Sequence, residues 1–315
     1  MDPLVSVVTT VYKRTEYLPQ ALSSIQAQTF GDFEVIIADD SGSANSQSIF
    51  AGYASDPRFI YQPNPQTLGV TPSLSRAFQR ARGKYISILN DDDLWKPEFL
   101  QALVSPLQAR EDRVLAFSDH WIIDETGRID EQATTANTAR YGRELLPEGE
   151  VPNLPWFVLE TNGVPLAMAS VFRRNALDPA VLVKEVSGSY DAWVSSILAA
   201  SGKSFYYVPR RLTLYRVHRA METARRTPNK SMDQVFIFKS IREQKLFPAM
   251  DGYLRGRHSG ALFRVGRDHL LFDQRREARD FFRQAWQIHK EPKAILACAL
   301  SYFPLSVRKK LKLTF

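Results

Sequence analysis

The chain has 315 residues and a formal net charge of +7, with 44% hydrophobic and 24% charged residues. That length allows one large α/β domain with a smaller appendage, and the composition excludes a disordered or low-complexity protein. No apolar run approaches the ~20 residues a membrane-spanning helix needs, and Cys298 is the only cysteine, which excludes an intrachain disulfide and fits a reducing compartment.

The N-terminus, Met1-Asp2-Pro3-Leu4, lacks the basic and apolar regions of a signal peptide, so the expected location is cytoplasmic. The charge is unevenly placed. Residues 251–315 hold 14 Lys/Arg and 6 Asp/Glu, or +8; residues 1–250 hold 27 and 28, or −1. Basicity therefore belongs to the C-terminal part, and the expected domains are 1–220 and 221–315, the second with an acidic partner.

In chain order, residues 4–11 are a β-prone run and 17–28 a helix, with Leu18, Ala21, Leu22 and Ile25 at helical spacing. Residues 32–40 form a second strand ending in Asp39-Asp40, and 46–54 a helix. Residues 58–61 are a short strand, 70–81 a helix, and 83–89 a buried strand that runs into Asn90-Asp91-Asp92-Asp93. A helix follows from Lys96-Pro97. Residues 114–123 are a further strand, and the polar, weakly periodic stretch 128–150 predicts a mobile excursion. Residues 167–172 predict a strand, 187–200 a helix, and 203–208 and 212–218 two more strands. The βαβ alternation predicts an α/β fold, Rossmann-like, with a mostly parallel sheet and helices on both faces.

In such a sheet, ligands bind beyond the carboxyl ends of the strands. Asp39, Asp40 and the 91–93 cluster all lie at such ends. Three carboxylates at the mouth of a buried strand are costly unless a cation shares the site, and oxygen ligands suit Mg²⁺ or Mn²⁺. An acidic turn capping a helix is the competing reading. The chain has no GxGxxG and no GxxxxGK[ST], so a bound nucleotide must be held by side chains and a metal.

Five segments, in order and over residues 4–218, carry a family resemblance. They are Val5–Arg14, Val35–Ser43, Ala81–Trp95, Tyr190-Asp191-Ala192-Trp193 and Tyr215-Arg216-Val217-His218. Together they resemble the family 2 glycosyltransferases, inverting nucleotide-sugar enzymes with a GT-A fold. The resemblance implies a UDP-linked donor and, as acceptor, a hydroxyl of a glycan or lipid-linked glycan, in bacterial-type surface polysaccharide assembly. It places Thr10 and Tyr12 in the nucleotide pocket, Asp39 on the base with Asp40 beside it, and Asn90 and Asp91 toward the donor. Mn²⁺ or Mg²⁺ would sit on Asp92, with Asp91 or Asp93 assisting and His218 facing the metal or diphosphate. The family commonly shows Glu-Asp just before Tyr-Asp-x-Trp; here those positions are Gly188 and Ser189. Either Asp191 is the base, or another carboxylate, Glu185 being nearest, replaces it, or catalysis is weak. A non-catalytic nucleotide-sugar or carbohydrate-binding protein is the alternative. A nucleotidyltransferase would want a basic glycine-rich loop after the first strand.

Beyond His218 only helices are expected, over 229–247, 258–273 and 276–289. Ala261-Leu262-Phe263, Gly266, Glu277-Ala278, Ala285 and Pro292 resemble one helical hairpin of the tetratricopeptide type. Residues 294–315 are apolar with a basic end, Arg308-Lys309-Lys310-Leu311-Lys312. They fit either an interfacial helix on an anionic membrane or an amphipathic helix packed on the protein. Nucleic-acid binding would need aromatics interleaved along a basic groove.

Overall fold

The computed structural model describes residues 2–12, 15–218 and 231–303. The chain divides into two compact units, Met1–Arg219 and Ala220–Phe315.

The first unit is built on one nine-stranded sheet. Its strands are β1 (Val5–Val11), β2 (Phe33–Asp39), β3 (Phe59–Pro63), β4 (Tyr85–Ile88), β5 (Leu94–Trp95), β6 (Arg113–Ile123), β7 (Gly149–Glu150), β8 (Ser170–Arg173) and β9 (Ser204–Arg216). The helices are α1 (Leu18–Gln26), α2 (Ala44–Ala51), α3 (Val70–Arg80), α4 (Phe99–Ala109), α5 (Glu131–Arg140), the short α6 (Leu154–Trp156) and α7 (Leu166–Ala169), and α8 (Tyr190–Ala200). The strand order is β3-β2-β1-β4-β8-β6-β9-β5, with β7 also on β9.

Alternation along the strands divides the core between two faces. Val5, Val7, Val35, Ile37 and Val171 pack with Leu18, Leu22, Leu100 and Leu103 of α1 and α4. Their neighbours point the other way: Phe172 of β8 meets Phe78 of α3, ring centroids 6.0 Å apart. Helices thus cover both faces. Gly83, ahead of β4, permits a close approach, because a Cβ there would lie 2.5 Å from the Ser6 nitrogen. A buried polar latch closes the same corner. Glu34 accepts from Ser6 Oγ (2.7 Å) and from the Arg82 backbone and guanidinium, and the Gly83 N–H donates to Ser6 Oγ.

The sheet is mixed rather than mostly parallel. β1 pairs in parallel with β2 and β4, β2 with β3, and β6 with β9, but β8 runs antiparallel to both β4 and β6. The turns α6 and α7 deliver the chain to β8 from the opposite end, a direction that a strand's composition does not encode. Two reversals cancel, so β4, β6 and β9 point the same way as β1.

Three expectations are corrected. The two strands expected over 203–208 and 212–218 are one, Ser204–Arg216; the register with β6 shifts between Ser118↔Val208 and Asp119↔Arg211, so Pro209 falls in an irregularity, where proline is tolerated. Residues 167–172 begin as helix α7 before β8 starts. Residues 131–140 form α5, capped by Asp130, whose side chain accepts from the Ala133 N–H. That helix buries Thr134 and is tied down by polar contacts: Thr138 Oγ1 donates to Asp119 (2.7 Å), and buried Arg143 bridges Asp119 (2.9 Å), Asn137 and the Gly163 carbonyl. With no apolar stripe, its periodicity was invisible.

The second unit contains α9 (Met232–Glu243), α10 (Asp251–Leu271), α11 (Arg275–Ile288) and α12 (Pro292–Leu300), and no strand among the described residues. α10 and α11 form the expected hairpin. A Cβ on Gly266 would lie 2.7 Å from the Phe282 ring and 3.1 Å from the Ala278 carbonyl, so the small residue lets the helices close. The basic run 308–312 lies outside the described residues.

Candidate functional site

The C-terminal ends of β1, β2, β3, β4, β6 and β9 share one rim. Strand order changes direction between β1, which leads outward to β2 and β3, and β4 on its other side. Such a switch point opens a crevice. Thr10 and Tyr12 lie on its β1 side, Tyr12 being 38% exposed. Asn90 to Asp93 follow β4 on the other.

The acidic loop spans the rim, because β5, which it leads into, pairs with β9 rather than with β4. Asp92 Oδ2 stands 3.1 Å from His218 Nε2, just past the end of β9. Asp93 is completely buried. Its oxygens accept from the Arg216 N–H (2.9 Å) and from Asn90 Nδ2 (3.2 Å). Burial, then the neighbouring Asp92, push its carboxyl well above the usual carboxylate range. Asp93 is thus held inside the loop, with Asn90 turned toward it. Asp91 is buried in the same loop.

Arg216, which the sequence presents only as one residue of a β-prone run, is the hub. It is 1% exposed. Nε donates to the Asp92 carbonyl (3.0 Å), Nη1 to the carbonyls of Asp124 (3.3 Å) and Glu125 (3.2 Å), and Nη2 to Gln20 Oε1 (2.8 Å). Its guanidinium lies 4.4 Å over the Tyr17 ring, and that ring also neighbours His218 at 5.4 Å. A charged residue in a strand's last position, two before a histidine, was the available signal.

Asp39 and Asp40 have separate duties. Asp39 Oδ1 accepts from the Ser41 N–H (2.8 Å) and hydroxyl (2.5 Å), and Oδ2 from the Tyr61 hydroxyl (2.6 Å). Burial, then that bond to Asp39, raise the Tyr61 phenol above its ordinary value. Asp40 clamps the loop before α3: Oδ1 accepts from Asn64 Nδ2 (2.9 Å) and the Leu68 N–H (2.7 Å), and Oδ2 from the Gly69 N–H (2.8 Å). Gly69 takes φ +95° there, a conformation that favours glycine.

Asp191 lies in the first turn of α8. Its neighbour is Tyr190. Burial raises that phenol, and after burial the charges acting on it are Asp191, Asp93 and Asp92 in that order. Gly188 and Ser189 lead into the helix, and the Trp193 N–H bonds the Ser189 carbonyl. Glu185 is exposed in the preceding turn, Lys184–Val186.

Among the described residues, no group of three or more His, Cys, Asp or Glu side chains is arranged to hold a metal unaided. The loop nonetheless fits a divalent ion that takes its remaining ligands from substrate phosphates and water. Asp92 and His218 offer an oxygen and an imidazole nitrogen 3.1 Å apart, a set that suits Mn²⁺.

Residues 6–155 match the family described as glycosyl transferase family 2. An uncharacterized glycosyltransferase of Methanocaldococcus jannaschii is 38% identical over 130 residues, which is 40% of this chain and 45% of that protein. The chain thus spans less than half of that relative's length. TarS residues 1–349 of S. aureus, solved with UDP-GlcNAc, superimpose with a TM-score of 0.66 at 15% identity over 91% of this chain and 81% of that one. The mannosyltransferase PcManGT of Pyrobaculum calidifontis, solved with GDP-Man and Mn²⁺, gives 0.59 at 16% identity over 99% and 81%. The fold shared with these is the GT-A fold.

Proposed function

We propose, for a chain whose residues 6–155 match glycosyl transferase family 2, that it moves a sugar from a nucleoside-diphosphate sugar to a hydroxyl of a glycan or lipid-linked glycan, inverting the anomeric carbon, in surface polysaccharide assembly. The observation behind this reading is that one rim carries both the Asp92–His218 pair and the anchored Asp39 carboxylate. The UDP-GlcNAc held by the S. aureus neighbour supports a uridine donor.

Each residue then has a task. Thr10 and Tyr12 line the nucleoside pocket. Asp39, fixed by Tyr61 and Ser41, accepts an N–H of the base; Asp40 holds the adjoining loop. Asn90 and Asp91 border the donor. Asp92 and His218 would hold Mn²⁺ or Mg²⁺, which when bound supplies Lewis-acid charge for the departing diphosphate. Asp191 takes the acceptor's hydroxyl proton. Attack opposite the leaving group inverts the centre.

Calorimetry with UDP-sugars, with and without Mn²⁺, tests the donor site. Binding by the wild type should require Mn²⁺ and vanish in Asp92→Ala; full binding by that variant would sink the assignment. A second reading, donor binding without transfer, rests on Gly188-Ser189 standing where a Glu-Asp pair is common. UDP release on adding acceptor separates the two.

No described helix is long and apolar enough to cross a membrane. We place the chain in the cytoplasm, peripheral on the inner face of the membrane, where a lipid-linked acceptor would be met.

A further inference from the structure

Helix α12 packs with its sides reversed. Ala294, Ala297 and Ser301 face inward, buried at 0–1% exposure, while Ile295 and Leu296 point out at 50% and 55%. Small residues seal the contact with α11, and the large aliphatic ones are left to solvent. Tyr302 and Phe303 follow, exposed at 60% and 46%. Beside them runs an apolar groove of about 390 Å³ lined by Phe282, Trp286, Ile295, Cys298 and Tyr302. Isolated exposed apolar residues need no explanation, but a contiguous patch beside a groove does.

The rim of the patch is basic on balance, with Glu291 paired to Lys293 and Asp280 to Arg283. Arg279 lies 4.6 Å over the Tyr302 ring, Lys290 5.0 Å over Trp286 and Lys293 5.6 Å over Phe263, and Arg283 donates to the Tyr302 hydroxyl. The chain continues from Phe303 into a segment that carries Arg308, Lys309, Lys310 and Lys312. Apolar side chains ringed by bases match a bilayer with anionic headgroups: the aliphatic groups enter the acyl boundary and the cations stay with the phosphates.

We propose that this face of α11 and α12, centred on Ile295, Leu296, Tyr302 and Phe303, docks the chain on an anionic lipid bilayer. It deepens the peripheral placement proposed above and rests on it.

Flotation of the full chain with phosphatidylcholine vesicles, with and without phosphatidylglycerol, tests it. Wild type should bind the anionic vesicles at least about tenfold better than the neutral ones, and less as salt rises. Ile295→Asp combined with Leu296→Asp should lose about tenfold or more. The changed side chains are half-exposed, so helical circular dichroism and melting temperature should stay put. Lys290→Glu with Lys293→Glu tests the charge separately and should weaken binding to anionic vesicles alone. Equal binding to both vesicle types, or undiminished binding by the aspartate variant, overturns the proposal. So does a wild-type dimer in size-exclusion chromatography that the aspartate variant dissolves, since a second copy would then own the face. UDP release in vesicle-free buffer should match between wild type and variants; its absence from the wild type would tell against the transferase reading and leave the docking result standing.

Discussion

Replacing Arg216 by Met removes the donor shared by four acceptors on three elements while keeping most of the volume. The carbonyls of Asp92, Asp124 and Glu125 and the Gln20 side chain each lose a bond of 2.8–3.3 Å. At about 1 kcal/mol or somewhat more each, and with the Tyr17 contact, the gross loss is roughly 5 kcal/mol. Burying a guanidinium is itself costly, and its removal returns part of that. The net expectation is ~2–4 kcal/mol of destabilisation, or roughly 5–15 °C in the melting temperature of the first unit. The backbone bond from residue 216 to Asp93 survives the change, so Asp93 keeps its place and Asp92 loosens. Affinity for UDP-sugar with Mn²⁺, measured well below the melting temperature, should therefore fall as well. Arg216→Lys should recover part of the stability and little of the affinity, because an ammonium cannot reach four divergent acceptors. Denaturation of Arg216→Met within about 1 kcal/mol of wild type would refute the reasoning, since four unmade buried bonds cannot cost so little.

Asp191→Asn should bind donor normally yet lower acceptor-dependent UDP release by about a hundredfold or more; unchanged release would move the base elsewhere, with Glu185→Gln the next variant to assay. Gly266→Ala should destabilise the second unit by roughly 1–3 kcal/mol despite alanine's better helix propensity, because its methyl meets the Phe282 ring; a raised melting temperature would contradict the hairpin packing. His258 is held down to about 4 by burial, then by Arg242 and Lys239. Its neutral form is the native one, so the unfolded chain binds the extra proton between about 6.5 and 4. Its contribution is complete above that window and is lost as pH falls through it, by roughly 1–2 kcal/mol after screening; urea midpoints for the second unit at pH 7 and pH 5 that agree would count against it.

The parallel half of the first unit was readable because β1, β2 and β4 are nearly continuous apolar runs closed by polar residues. The acids at their ends mark the rim. What stayed hidden is held by polar contacts or by direction. α5 rests on Thr134, Thr138 and Arg143 rather than on an apolar stripe. The reversed strand β8 has no compositional mark. Within the site, adjacency in sequence concealed a division of labour: Asp92 and Asp93 are neighbours, but one meets His218 and the other is sealed in. That difference comes from β5 pairing with β9, which no local pattern announces.

The Asp40 clamp turns a question of shape into one of polarity. All three groups that meet its two oxygens are N–H donors. Asparagine has the same outline, but either flip of its amide would aim hydrogens at hydrogens on one side. The closest isostere is thus excluded at a position where no substrate need touch the side chain, and homologous chains that keep the turn around Gly69 should keep an acid there for reasons of folding alone.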